Sequence, residues 1–459
     1  MSGSTHFIGI GGTGLSAIAR VLLERGEHIT GSDREESPLG ALLRQAGVKV
    51  SIGHAAGNIN GATRVVRSSA VGDDNVEVQA ARAKGIPVYK RAEFLGELLA
   101  DQQVIAVAGA HGKTTSTSML AWLLTALNQR PGYIIGSLAA NLGANAAAGG
   151  GRLFVVEADE YDYMFLGLKP QIALVTNVEH DHPDLFTTPA DFAAAFERFV
   201  DGIVPGGELI ACANDPGAAA LLAYARGSGQ KTQAYAHSHR DADYTMDIIS
   251  TNGAGYAFVA QHSGEQLAEV QLQVPGLHNA LNALGVLAVA HRLGLNLGEA
   301  AMALADFRGA GRRFEVRGDA AGVTVVDDYA HHPTEIRSTL AAARARYPQR
   351  RLWALWQPHT YSRTLTLAEG YTAAFADADR VLVTDVYAAR EQRPHGFDLN
   401  SIIARIPNAE FTPSFTDAQA ALMAGLQARD VLLIMSAGDA IKLSADIFQL
   451  LQDKEANHA

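Results

Sequence analysis

The 459-residue sequence contains a single cysteine, Cys212, so no disulfide can form within the chain and a stapled secreted scaffold is excluded. A lone thiol in an apolar run reads as core packing rather than as a nucleophile. No apolar stretch reaches the roughly 20 residues that a membrane span needs, and no basic segment followed by a long apolar run opens the chain. We therefore expect a protein of the cytoplasm with no membrane insertion. Lysine and arginine nowhere cluster into the footprint of a nucleic-acid binder, and the formal net charge is −11, so nucleic acid is not expected as a partner and any phosphate should be held locally. Fixed-period repeats are absent, and the only biased tract, NAAAGGG at 145–151, reads as an exposed turn before a strand.

What remains is the composition of a soluble globular protein, 48% apolar and 19% charged, long enough for about two to four domains. Short β-branched runs alternate with amphipathic helical patterns, the rhythm of a parallel sheet. HFIGI, HITGSD, RVVRSSA and IPVYK read as strands of a first unit, residues 1–100. A second unit, 101–308, opens at QQVIAVAGAHGKTT and runs through RLFVVEADE and IALVTNVEHDH to the Ala/Leu-rich helix GLHNALNALGVLAVAHRLG. After the link FRGAGRRFE the rhythm restarts in a third unit, 309–459, with VTVVDDYA, RLWALWQ, RVLVTDVY and VLLIMSAGD as strands. The expected fold is α/β in three domains, the outer two Rossmann-like and the central one of P-loop type.

Two glycine loops carry chemistry. In FIGIGGTG, Gly9, Gly11 and Gly14 fit G-x-G-x-x-G between a strand and a helix, the setting of a dinucleotide site, with Asp33 at the next strand end as a ribose partner. On these residues alone a nicotinamide-dependent dehydrogenase stays open. The second loop, AGAHGKTT, places Gly109, Gly112, Lys113, Thr114 and Thr115 between a strand and a helix. Backbone amides there can hold phosphate, Lys113 can reach terminal phosphates and a threonine hydroxyl can ligate Mg²⁺. Val107 stands where the first glycine of the full P-loop pattern would be.

Glu157, Asp159 and Glu160 follow one strand of this unit, and Glu179, His180, Asp181 and His182 follow another. Carboxylates at strand ends behind a phosphate loop suit Mg²⁺. The second cluster has histidine spacing suggestive of zinc, but without cysteine or a His-x₃-His helix a structural zinc site is not expected.

Together, GAHGKTT, EADEYD, TNVEHDH, GLHNALNA, GRRFE, DDYAHHPTE, QPHTYSRT and SAGDA resemble the Mur ligases, the ATP-dependent amide-forming enzymes of peptidoglycan precursor synthesis, in the family's order from end to end. GIGGTGLSAIA, GSD and DDYAHHPTEI are most similar to members that add L-alanine to UDP-N-acetylmuramate. Ala110 stands in place of a threonine common in those members and Tyr161 in place of a serine; neither change removes a phosphate or metal ligand.

The resemblance implies that ATP is held by Gly109, Ala110, His111, Gly112, Lys113, Thr114, Thr115, His278, Asn279, Asn282, Arg313 and Asp328. It implies Mg²⁺, for which Mn²⁺ can substitute, on Thr114, Glu157 and His182. The UDP-sugar falls to Gly11, Gly12, Thr13, Gly14, Ser32, Asp33, Ser68 and Ser69, and the amino acid to Tyr329, His331, His359 and Arg363. Lys113, Glu157, His182 and His331 carry the chemistry, His331 as a proton acceptor for the incoming amine. A carboxylate is activated as an acyl phosphate and attacked by the amine, with the third domain closing to exclude water. The expected partners are UDP-N-acetylmuramate and L-alanine, in a monomer or homodimer. A ligase that adds a whole tripeptide, and a non-catalytic nucleotide-binding relative, are the other readings.

Overall fold

The computed structural model describes residues 4–238 and 241–457. Its first sheet is parallel and five-stranded, in the spatial order Lys49–Ile52, His28–Asp33, Ser4–Ile8, Arg64–Arg67, Val88–Lys90. The chain leaves Ser4–Ile8 first to one side and then to the other, so a crevice opens at that strand's C-terminal end. Residues 9–14 occupy it. Helix Thr13–Glu24 follows because Leu15, Ile18, Val21 and Leu22 fall on one face, where all four are buried. The edge strand Lys49–Ile52 was not expected from sequence, since its four residues are too few and too exposed to show a period.

The central sheet has ten strands. Gln103–Ala108 lies between Leu153–Glu157 and Ile172–Val175, all parallel, so the phosphate loop and both acidic strand ends emerge side by side. Along Glu208–Cys212, Leu209 and Ala211 enter one core while Ile210 and Cys212 enter the other, the two-residue alternation of a sheet covered on both faces. Helices Lys113–Ala126 and Leu277–Arg292 contribute to one of these cores, and Pro189–Asp201 and Pro216–Gly227 to the other. Burial pushes the Cys212 thiol up to about 11, consistent with a packing role.

Two expectations fail in this sheet. Tyr244–Thr251, Tyr256–His262 and Glu265–Leu272 form an antiparallel extension that the parallel reading did not include. The tract 145–151 is not wholly a turn: Ala144–Ala147 is a strand paired with Gly132–Ala139. Small side chains let helix Thr13–Glu24 approach this strand, and only the glycines beyond it turn. Buried apolar residues run without a break from Phe7 and Ile18 into Phe154 and Phe196.

The third sheet runs Glu315–Ala320, Val323–Asp328, Val431–Ser436, Leu352–Gln357, Arg380–Val383, Ala409–Phe411. Only Glu315–Ala320 is antiparallel; its exposed, charged sequence EVRGDA hides it from a search for apolar runs. The C-terminal ends of Val323–Asp328 and Leu352–Gln357 carry DYAHHP and PHTYSR toward the central unit, as the contacts below show. Among the described residues no helix is long and apolar enough to cross a membrane.

Candidate active site

The glycine loop of the central unit is built around two left-handed glycines, Gly109 and Gly112, with φ of +140° and +80°. A Cβ on Gly112 would lie 3.0 Å from Asn282 Oδ1, so helix Leu277–Arg292 presses directly on the loop. Asn282 is buried, 3.4 Å from Asn279 Oδ1, and Asn279 donates to Pro275 O at 2.7 Å. The His111 N–H donates to Asn177 Oδ1 (2.8 Å), while Thr176 Oγ1 donates to His111 O (2.6 Å). The loop is thus fixed from one strand end, that of Ile172–Val175, and one helix.

Lys113 Nζ donates to Gly109 O (2.6 Å) and Ala110 O (3.0 Å) and lies 2.9 Å from Glu160 Oε2. Burial would lower its pKa, but Glu160 and Asp159 raise it above the ordinary value. Thr114 Oγ1 donates to Glu157 Oε1 at 2.7 Å, and Gly136 N–H donates to Glu157 Oε2 at 2.6 Å. Burial pushes the Glu157 carboxyl upward. His182 Nε2 lies 3.4 Å from Glu160 Oε1. Glu160 therefore stands between Lys113 and His182, a bridge that the site expectation did not include.

Residues 312–335 close this loop from the third unit. Asp328 accepts from Phe314 N–H and Ala330 N–H, each at 2.7 Å, and burial raises it to about 6. The ring of Tyr329 lies under both Arg312 and Arg313, at 4.7 and 4.8 Å. A cleft is lined by His111, Thr114, Asn279, Asn282, Arg313 and Asp328, among others. His278 also lines it, as do Gly112 and Thr115, so nine of the twelve residues assigned to ATP converge on one cleft, and Gly109, Ala110 and Lys113 do not line it.

The expected amino-acid residues meet beside this cleft. His331 Nδ1 is 2.9 Å from Tyr329 O, and its ring centroid is 5.7 Å from that of His359. Burial lowers His331 to about 4. Arg363 is not free: its Nε donates to Asp181 Oδ1 at 2.7 Å, and its Nη1 lies 2.9 Å from His359 Nδ1. Non-glycine residues with left-handed backbone gather here, His182, Arg312, Phe314 and Thr360, at φ between 50° and 63°. Such strain persists where surrounding contacts over-determine the chain, as at binding sites.

Glu335 was missed, although its place at the first turn of a capped helix marks it. It lies 3.2 Å from His111 Nδ1 and from His331 Nδ1, and 3.8 Å from Arg313 Nη1. Burial works against it, yet His331 and His111 hold it well below the usual carboxylate range.

In the first unit Gly12 and Thr13 form an exposed turn, and Asp33 Oδ2 accepts from Gly11 N–H at 2.8 Å. Ser68 Cβ would lie 2.9 Å from a Cβ on Gly9, and Ser69 is exposed. Ser32 differs from expectation: it is fully buried, and its hydroxyl donates inward to Glu77 Oε2 at 2.6 Å. Strand alternation turns it away from the crevice that Asp33 faces. Arg91 packs over Gly14 and pairs with Asp159 at 2.8 Å, so the first glycine turn is tied to the acidic strand end of the second.

Three stretches match descriptions of one family: "Mur ligase family, catalytic domain" over 4–103, "Mur ligase middle domain" over 107–290 and "Mur ligase, glutamate ligase domain" over 312–438. The chain belongs to the Mur ligase family. A relative from Paenarthrobacter aurescens, described as UDP-N-acetylmuramate--L-alanine ligase, is 43% identical over 437 residues, which cover 95% of this chain and 94% of the relative. The crystal structure of a UDP-N-acetylmuramate-alanine ligase from Thermotoga maritima aligns with TM-score 0.83 at 28% identity, covering 98% of this chain and all of that one. A murein peptide ligase from Psychrobacter arcticus aligns with TM-score 0.75 at 27% identity, covering 98% and 99%.

Proposed function

We propose that the protein is an ATP-dependent ligase that joins L-alanine to the carboxylate of UDP-N-acetylmuramate. The observation that carries this reading is the cleft in which the loop residues His111, Gly112 and Thr114 face Arg313 and Asp328 of the third unit. The relatives named as alanine ligases support the choice of substrates, and the exposed glycine turn at 11–14 offers helix N-terminal amides to a diphosphate.

The donor set beside the loop fits a hard cation. Glu157 is a carboxylate with neutral hydrogen-bond donors, the Thr114 hydroxyl and the Gly136 amide, and burial disfavours its charged form. Mg²⁺ would be held by Thr114, Glu157 and His182, where it would supply charge neutralisation to transferring phosphate. Lys113 is the protein's own cation for that charge. It reaches substrate by exchanging Glu160 and two loop carbonyls for phosphate oxygens, so it is stored fully charged until needed.

In-line transfer of phosphate to the carboxylate yields an acyl phosphate, and the amine then displaces phosphate to form the amide. Arg313, held over Tyr329, brings positive charge into the cleft from the third unit. His331 is neutral near pH 7, because burial lowers it to about 4. That low basicity suits a hydrogen-bond acceptor orienting the amine better than a general base. The test is ADP release with UDP-N-acetylmuramate and, separately, L-alanine, glycine, L-serine or tripeptide. Preference for L-alanine supports the reading, and turnover with tripeptide alone replaces it with a peptide ligase.

A further inference from the structure

We propose that His111, Glu179 and His332 form a binding site for a borderline-soft divalent cation, zinc foremost, bridging the central and third units. The three side chains come from separate segments: the phosphate loop, the stretch after strand Ile172–Val175, and the N-cap of helix Pro333–Arg346. One potential ligand atom from each lies within 4.8 Å of the others. Tetrahedral zinc, with bonds of about 2.0–2.2 Å, separates its ligands by about 3.4 Å. His111 Nε2 and Glu179 Oε2, at 3.1 Å, are already near that spacing, and no pair needs to close by more than about 1.4 Å.

The surroundings resemble the outer shell of a metal centre. Glu335 Oε1 is 3.2 Å from the other nitrogen of His111 without a hydrogen bond between them, close enough for the carboxylate to orient the ring once Nε2 faces a cation. Thr334 Oγ1 donates to Glu179 Oε1 at 2.8 Å, which leaves Oε2 aimed at His111. His332 makes two long contacts, 3.2 Å to Thr334 N and 3.3 Å to His180 O, and gives up one of them to become a ligand. The two imidazole rings stand 4.5 Å apart.

Two imidazoles and a carboxylate select zinc, cobalt or nickel over Mg²⁺, which prefers oxygen ligands. His111 and Glu179 belong to the central unit and His332 to the third, so a bound cation clamps the two together. His111 and Glu179 also line the cleft between the loop and Arg313, so the clamp tightens around it. That this slows ligase turnover rests on the proposed function, whereas the binding itself does not.

The test uses the full-length protein, freed of metal by chelation, in excess Mg²⁺. Equilibrium dialysis should find one zinc per chain, and cobalt in its place should give the strong visible absorption of a low-symmetry four-coordinate site. E179Q and H332N should each weaken zinc binding about tenfold or more, with circular dichroism confirming that they fold. In the unmodified protein, zinc should shield His332 from diethyl pyrocarbonate, a readout that requires no variant. No zinc binding above the Mg²⁺ background, or binding unchanged in both variants with His332 unshielded, overturns the proposal. Zinc binding at these residues without slower ADP release upholds the site and removes its inhibitory consequence.

Discussion

Arg363 and Asp181 form an ion pair between the third and central units, 2.7 Å from Nε to Oδ1, with both side chains at least 96% buried. Burial would raise the carboxyl, but Arg363 holds it well below the usual range. The residue expected to receive the amino acid thus also fastens the two units together. If Arg363 receives the amino-acid carboxylate as the resemblance implies, that carboxylate shares the guanidinium with Asp181, through the Nη groups that now face His359 and His182.

Asp181→Asn leaves the Arg363 charge buried without its counter-ion. Breaking one partner of such a pair costs about 3–5 kcal/mol, and denaturant unfolding of the variant should show a loss of that order. Scattering should also report a more open arrangement of the units. Unaltered stability and shape would show that the pair does not hold the units together.

Lys113→Met removes the cation nearest the expected phosphates. ADP release should fall by about 10²–10³-fold or more, the scale for losing one charge-stabilising group. Calorimetric binding of UDP-N-acetylmuramate should stay unchanged, because the turn at 11–14 belongs to another sheet. Retained turnover would remove Lys113 from the phosphate site.

Gly112→Ala introduces a Cβ at a φ of +80° and 3.0 Å from Asn282 Oδ1. A left-handed non-glycine residue costs about 1–2 kcal/mol, and the contact adds to it. Reduced thermal stability together with weaker nucleotide binding is expected, measured by melting with and without ATP. If only stability falls, the loop does not position nucleotide.

Glu77 gives a pH dependence remote from the cleft. It accepts from Ser32 and His6 on one oxygen and from Asn58 and Ala55 on the other. These bonds outweigh burial and lower it from 4.5 to about 2. Its contribution to stability is therefore complete above the unfolded value near 4.5 and is lost as pH falls through the folded value near 2. Glu77→Gln should be less stable than the parent at pH 7, with the difference shrinking below pH 4.5 in urea titrations. A difference independent of pH would mean that the charge is not what matters.

The parallel cores were legible because Gln103–Ala108, Val323–Asp328, Leu352–Gln357 and Val431–Ser436 are apolar runs with chemistry at their C-terminal ends. The antiparallel strands were not, since EVRGDA and the second half of YTMDIIST are largely exposed and only Tyr244 and Met246 at its start enter the core. Motif spacing singled out Lys113, Thr114 and Glu157, which are near one another across adjacent strands. It could not reveal that Glu335 meets His111, that Arg363 meets Asp181, or that Ser32 turns inward. Those depend on how separate units pack and on which face of a strand a residue occupies.

The most direct test of the account supplies UDP-N-acetylmuramate with heavy oxygen in its carboxylate, together with ATP and L-alanine. We expect one labelled oxygen in each orthophosphate released, no label in the nucleotide, and one UDP-N-acetylmuramoyl-L-alanine formed for each ADP. Label in AMP, or ADP formed without labelled phosphate and amide, would contradict it.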